Sequence, residues 1–165
     1  MANPGNGVEV RLAVAADAVR LAALRWQFRA EDAPESAGPL DAFVARAAPW
    51  FTECFDRGWA AWVAATGDDL CGHLFLRPVE KVPDPILGST QIGYVTNFYV
   101  IPNMRERGVG GALLRAMRAW AEAARLNTAI AWPSTRSVSA WRRVGFAPPE
   151  ELLELPVDHR LETGC

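Results

Sequence analysis

The chain has 165 residues, of which half are apolar and 22% charged. That balance fits one globular domain covering residues 1–165 and excludes wholesale disorder. No apolar run approaches the roughly 20 residues that cross a bilayer, and the opening Met1-Ala2-Asn3-Pro4-Gly5-Asn6-Gly7 has neither the basic start nor the apolar stretch of a signal peptide. Cys54, Cys71 and Cys165 are too few and too scattered for a disulfide framework or a metal site, so the expected setting is a reducing cytoplasm with no bound metal.

The net charge of −2 is unevenly spread. Residues 105–143 carry eight Arg against two Glu, whereas residues 1–104 and 144–165 are each net acidic. A basic stretch inside an acidic chain favours a local anionic ligand over a general nucleic-acid surface. The plainer alternative is a solvated helix face that carries Arg.

In chain order, Val8 to Leu12 alternates apolar and polar and predicts a short strand. Asp17 marks a helix start, and Val19, Leu21, Leu24, Trp26 and Phe28 carry the helix to about Arg29. Glu31 to Pro39 reads as a polar, proline-broken loop. Asp41 to Phe55 predicts a second helix, with Phe43, Val44, Ala47, Phe51 and Phe55 on one side and Gly58 as its stop. Trp59–Thr66 and Leu70–Val79 are strands around the hairpin signal Gly67-Asp68-Asp69, and Pro83–Thr90 is a loop. Tyr94 to Ile101, aromatic and β-branched, predicts a strand that Pro102 ends.

From Val109 the period turns helical, with Leu113, Leu114, Met117, Trp120, Ala121 and Ala124 on one face and Arg115, Arg118, Glu122 and Arg125 on the other. Ala129 to Trp132 is a short buried strand, and Ser134 or Thr135 caps a further helix ending near Val144. A last strand is expected around Leu152 to Leu155. The order is β-α-α-β-β-β-α-β-α-β, with no internal repeat or linker.

The segment that carries chemistry runs from Tyr94 to Leu114: a strand, a turn with Gly108, Gly110 and Gly111, then a helix. A helix N-terminus exposes unpaired backbone N–H groups and the positive end of the dipole. Glycine there lets an anion approach the backbone closely. The arrangement suits phosphate or pyrophosphate, and Arg105 and Arg107 reinforce it. The alternative is a helix start whose glycines serve only tight packing. A P-loop requires Lys-Ser/Thr after its glycines, whereas Ala112-Leu113 follow here. A dinucleotide fingerprint places its glycines directly after the strand, whereas Pro102 to Arg107 intervene.

Arg105-x-x-Gly108-x-Gly110, with Val100-x-Pro102 upstream and Leu113-Leu114 downstream, resembles the acyl-CoA signature of the GNAT family, the GCN5-related N-acetyltransferases. Trp141-Arg142-Arg143-Val144-Gly145-Phe146 is similar to that family's aromatic-x-x-x-Gly-Phe, and the order of elements is also the family's. The resemblance implies a GNAT fold: an α/β (α+β) domain with a mixed central sheet, splayed at the cofactor strand and flanked by about four helices. It implies acetyl-CoA as co-substrate, with the pyrophosphate on the main chain of Arg105, Glu106, Arg107, Gly108, Val109, Gly110 and Gly111. The pantetheine arm would run beside Phe98, Tyr99 and Val100 like an added strand. A main-chain N–H near Phe98 would face the thioester carbonyl, an effect that reaches roughly 3 kcal/mol. Transfer would be direct, to a neutral amine held in line, with a proton supplied to the leaving thiolate.

The proton-transfer half departs from the family pattern. Trp141 stands where many members have a Tyr, and an indole N–H does not give up its proton at neutral pH. Ser134 stands where an Asn often opens that helix, and Ala129 where some members carry a catalytic Glu. Glu31 or Asp32 is the replacement candidate for the base, Glu31 the one assigned, against the plainer role of a solvated loop carboxylate. Ser134, Ser137 or Ser139 is a donor candidate toward sulfur, against helix capping. His73 reads as a satisfied structural histidine, His159 as exposed, and Asn97 as acceptor-binding or solvent-facing. Trp26, Trp50, Trp59 and Trp62 are expected mainly in core packing, with an aromatic acceptor pocket as the alternative.

The resemblance implies an acetyl-CoA-dependent N-acetyltransferase acting on a primary amine, either a small molecule or a peptide N-terminus, in a chain able to form a homodimer. The alternative is a GNAT-like acyl-CoA-binding sensor or interaction module. Neither nucleic acid nor membrane is an expected partner.

Overall fold

The computed structural model describes residues 7–85 and 88–155. His159, Cys165 and the first six residues therefore lie outside the described residues. Five strands form one sheet in the order β1 (Glu9–Leu12), β2 (Ala60–Thr66), β3 (Asp69–Glu80), β4 (Gln91–Val100) and β5 (Ala129–Ala131). Neighbours through β4 are antiparallel and β4–β5 is parallel, so the sheet is mixed. The β2–β3 turn passes through Gly67 at φ +59°, a left-handed conformation that glycine adopts without a Cβ clash.

Both faces of the sheet are covered, which is why β2 and β3 read as nearly continuous apolar runs. Helices α1 (Ala18–Asp32) and α2 (Leu40–Glu53) bury Leu21, Leu24 and Phe51 against Val63, Phe75 and Tyr99 on one face. Helices α3 (Val109–Ala123) and α4 (Val138–Arg143) bury Leu113, Leu114, Met117 and Trp141 against Trp62, Leu74 and Leu76 on the other. Leu113 and Leu114 have no exposed surface, and burying each contributes roughly 2 kcal/mol. Arg11 donates to both oxygens of buried Asp17 at 2.7 and 2.8 Å, and Val14 N–H reaches the same carboxylate at 2.9 Å, tying β1 to the start of α1. The hydrogen bond from Arg11 outweighs burial and holds Asp17 below the usual carboxylate range.

Three boundaries differ from the sequence expectation. Helix α1 continues through Glu31 and Asp32, which are therefore helical and not in a loop. It stops at Ala33 because the proline ring at Pro34 disfavours helical backbone in the residue before it. Helix α4 begins at Val138, after Ser137, and not at Ser134 or Thr135. Leu152 to Leu155 forms no strand: Leu152, Leu153 and Leu155 are exposed and pair with nothing. Apolar spacing alone does not make a strand, and Pro148 and Pro149 just before it offer no backbone N–H to a ladder.

The feature that positions the site is a split in the sheet. β5 pairs with β4 only at Gly93, Tyr94 and Val95, so Thr96 to Val100 have no partner on that side. On the β3 side the register slips between His73↔Tyr99 and Phe75↔Thr96, leaving one extra β4 residue at Asn97–Phe98. Asn97 takes up the slip at φ +53°.

Candidate active site

The split opens into a cleft of about 430 Å³, walled by Phe28 of α1, by Phe98, Tyr99 and Val100 of β4, and by Ser134 to Arg143 around α4. Its floor is the turn into α3. Pro102 to Met104 make a single tight turn, Arg105 is extended, and Glu106 and Gly108 both adopt positive φ, +60° and +81°. This path brings Gly108 to the cap of α3, where a Cβ would meet nothing within 4 Å, so the space beyond is open to a ligand. A Cβ on Gly110 would stand 3.0 Å from the Phe98 ring, so this glycine is required by close packing. The first return bond of the helix is Ala112 N–H to Gly108 C=O at 3.0 Å. The donors before it, Val109 to Gly111, have no acceptor within the helix. A cradle of main-chain donors beside Arg105, Arg136 and Arg143, against Glu106 alone among the charged lining residues, fits a diphosphate.

Of the residues assigned to coenzyme binding, Phe98, Tyr99, Val100, Arg105, Glu106, Gly108, Gly110, Gly111 and Ser134 line this cleft. Val109 and Arg107 do not. Val109 buries its side chain in the core, leaving only its main chain for the turn, and Arg107 is exposed.

Glu31 lies at the centre of a network. Its carboxylate accepts from Tyr99 Oη at 2.7 Å and from Arg105 Nη2 at 2.8 and 2.6 Å, with Arg136 Nη2 at 3.5 Å. Arg105 also donates through Nε to Val100 C=O at 2.9 Å. Burial alone would raise the proton affinity of Glu31, but the bonds from Arg105 and Tyr99 and the charges of Arg105 and Arg136 hold it below the ordinary value. The carboxylate expected as a free base is instead an acceptor already in use. Burial, and then the bond to Glu31, push the Tyr99 phenol well above its usual value, so it stays protonated.

The remaining candidates separate clearly. Trp141 is buried between Phe98 and Phe146, and its indole donates to Ser137 Oγ at 3.2 Å. Ser137 in turn donates to Ser134 C=O at 2.9 Å, so the serines brace one another at the cleft wall. His73 is structural but not satisfied: it has no exposed surface and neither ring nitrogen has a partner. Burial, with a further contribution from the Arg25 charge, lowers it to about 3, which keeps it neutral. Cys54 and Cys71 are buried thiols whose pKa burial raises, which makes them inert. Trp62 is core, edge-on to Trp120 at 5.8 Å, whereas Trp50 is 38% exposed and meets Trp59 at 5.7 Å. Among the described residues no group of three His, Cys, Asp or Glu side chains is placed to hold a metal, and no helix is long and apolar enough to cross a membrane.

Phe28 and Arg136 were missed as wall residues. Phe28 belonged to an ordinary apolar helix pattern, and only the excess of Arg over residues 105–143 hinted at Arg136. The Glu31–Arg105 pair spans 74 residues and left no local signal.

The model of the acetyltransferase (GNAT) family matches residues 20–146, which takes in both helix faces, the split and the glycine turn. The chain belongs to the GNAT acetyltransferase family. The acetyl-CoA expected from the sequence accords with that membership. No curated protein sequence matches the chain. Among solved structures, the chain is similar to a GCN5-related N-acetyltransferase from Ralstonia eutropha JMP134 at 24% identity and TM-score 0.70, covering 92% of this chain and 100% of that one. A predicted acetyltransferase from Clostridium acetobutylicum, crystallised with acetyl-CoA, is 17% identical at TM-score 0.70, over 90% and 96% of the two chains. An aminoglycoside acetyltransferase from an uncultured soil metagenomic sample, in complex with sisomicin, is 12% identical at TM-score 0.71, over 94% and 99%. These likenesses bear out the GNAT fold, mixed sheet and four helices included.

Proposed function

We propose that this GNAT protein is an acetyl-CoA-dependent N-acetyltransferase that moves an acetyl group directly to the primary amine of a small molecule. The observation that carries the reading is the coincidence of two features in one cleft: the glycine turn at Gly108 to Gly111 and the unpaired, bulged edge of β4 at Asn97 to Val100. The turn supplies main-chain donors for a diphosphate, and the strand edge supplies main-chain partners for an extended arm. Acetyl-CoA, when bound, supplies a thioester at which a C–N bond forms, the C–S bond breaks and a proton passes from nitrogen to sulfur.

The chain's own residues are assigned as follows. Arg143, and Arg136 in part, add positive charge around the turn, whereas the charge of Arg105 is offset by Glu31. Phe98 closes over Gly110 at the cleft floor. The bulge frees main-chain groups of Asn97 and Phe98 from the ladder, which suits an N–H aimed at a developing oxyanion. Glu31 is a positioning residue: it holds Arg105 and Tyr99 and is too weak a base to draw a proton from an ammonium. The amine therefore enters in its neutral form, and Ser139, at the wall, is the hydroxyl offered to the thiolate, since that of Ser137 already donates to Ser134 C=O. One domain over residues 1–165 and a cytoplasmic setting belong to the same reading.

Acetyl-CoA is expected to raise the melting temperature by mass action. Free thiol should then appear from acetyl-CoA only when a suitable primary amine is added. A raised melting temperature with no amine-dependent thiol release from any amine would assign the chain to acyl-CoA sensing instead.

A further inference from the structure

Beyond Phe28, α1 and the strand β3 beneath it carry cations that no salt bridge among the described residues neutralises. Arg25 lies one helical turn before Phe28, its guanidinium carbon 5.4 Å from the Phe28 ring centroid. Arg25 is only part-exposed, and burial, followed by the charge of Arg29, lowers its proton affinity. Among the described residues the salt bridges use Arg11, Arg57, Arg105, Arg118 and Arg136. Arg25, Arg29 and Arg77 take part in none. Drawing a guanidinium out of water without an acceptor costs free energy. Asp17 and Glu31, the carboxylates with least exposed side chains among the ion pairs, are each fully paired, so an open Arg25 stands out against the rest of the fold.

Arg25 has the Phe28 ring against it, with Tyr94 and the buried His73 as electrostatic neighbours. Tyr94 meets Trp132 at 5.6 Å and Trp59 at 6.4 Å, and Trp59 meets Trp50 at 5.7 Å. Trp132 is 60% exposed, although it sits at the end of a sheet strand. Tyr94 and Thr96 pair with Arg77 and Phe75 of β3 just before the bulge, so this ledge adjoins the point where the coenzyme cleft meets the split. Phe28 links the two, since it lines the cleft, stacks on Tyr99 at 5.2 Å and carries Arg25 on its ring.

We propose that this ledge is the acceptor subsite and that Arg25 binds a carboxylate on the acceptor, so that the preferred substrate is a primary amine bearing a carboxylate on a flat apolar body. The inference rests on the N-acetyltransferase reading above and deepens it. Aromatic faces suit the apolar body, and a guanidinium suits a carboxylate through paired N–H donors. The sign of the charge matters most. A polycationic acceptor would meet Arg25, Arg29 and Arg77, while Glu31 is already engaged by Arg105, Tyr99 and Arg136.

The test is a calorimetric titration of the full chain, with and without CoA, using N-acetyl-L-phenylalanine and its amide as probes. The acid should bind at least tenfold more tightly than the amide. Arg25→Gln should erase that gap and Arg25→Lys keep part of it, with acetyl-CoA affinity unchanged in both and melting temperature lowered in neither. In turnover, phenylalanine should be preferred over phenylalaninamide, although the less basic amine of the amide is the more reactive at neutral pH. Equal binding of the two probes, no binding of either at millimolar concentration, or an Arg25→Gln variant that weakens both alike overturns the proposal. Selective binding of the acid without acetyl transfer would sink the transferase reading and leave the Arg25 assignment standing.

Discussion

The two ends of the cleft are built from different materials. At the proposed coenzyme end the working groups are main-chain N–H donors, and the sequence contributes chiefly by omitting Cβ atoms at Gly108 and Gly110. At the proposed acceptor end the working groups are side chains, Arg25, Tyr94, Trp59 and Trp132, brought together from α1, β4, the residue before β2 and the chain after β5. A main-chain site needs a local run of residues with particular backbone angles, so it leaves a local motif. A side-chain site needs only that several elements converge, so it leaves none. Glu31 joins the two ends, since it sits on the acceptor-side helix and grips the arginine of the coenzyme turn.

That contrast can be broken or sharpened by substitution. Gly110→Glu should have the largest effect, because its Cβ would stand 3.0 Å from Phe98 and its charge would enter the diphosphate cradle. Acetyl-CoA affinity measured by calorimetry should fall more than 100-fold, about 3 kcal/mol, with the acceptor end intact. Undiminished affinity would place the coenzyme elsewhere.

His73, beneath α1 on the acceptor side, gives the next largest effect. Held neutral at about 3 in the fold, it gains a proton on unfolding once the pH falls below about 6.5. The unfolded chain then binds more protons, so stability drops by about 1.4 kcal/mol per pH unit on the way down. Asp17 and Glu31, both depressed, add their own losses only lower, as the pH falls through and below the ordinary carboxylate range. Between pH 6.5 and 4.5 the decline therefore belongs to His73, and His73→Leu should recover most of it, about 2 to 3 kcal/mol at pH 4.5. Urea titrations of both proteins at the two pH values measure the difference, and parallel declines would remove His73 as the cause.

Glu31→Gln tests the bridge. If Glu31 only positions Arg105, acetyl-CoA KM should change about fivefold, roughly 1 kcal/mol, while the acid limb of the kcat profile stays where it is. Disappearance of that limb would restore Glu31 as the base. Trp141→Tyr is expected to have the smallest effect, a severalfold rise in turnover. It sets an ionisable hydroxyl beside Ser137, where the indole N–H now stands 3.2 Å from Oγ. An unchanged rate would mean that thiolate protonation does not limit the reaction.

Much of the fold was legible because its signals are local. The apolar face at Leu113, Leu114 and Met117 and the hairpin at Gly67 each lie within a few residues, and the structure keeps all of them. The Leu152–Leu155 strand failed for the complementary reason: a strand is completed by a neighbour, and no window of sequence states whether one will be there. The helical placement of Glu31 turned on Pro34, a local cue that was present but outweighed by the polar composition around it. The bulge at Asn97 sits in a run of good strand formers, and its one mark was the Asn itself, a residue that tolerates positive φ.

By itself the amino-acid order determined the glycine turn that we propose as the diphosphate cradle, because missing side chains and a helix start are properties of neighbouring residues. Only tertiary structure decided that Glu31 would be consumed by an arginine 74 positions away and that Arg25 would be left unpaired among aromatics. The physical reason is that the charge state and partners of a side chain are set by whatever packs against it, and packing joins residues that the chain keeps far apart.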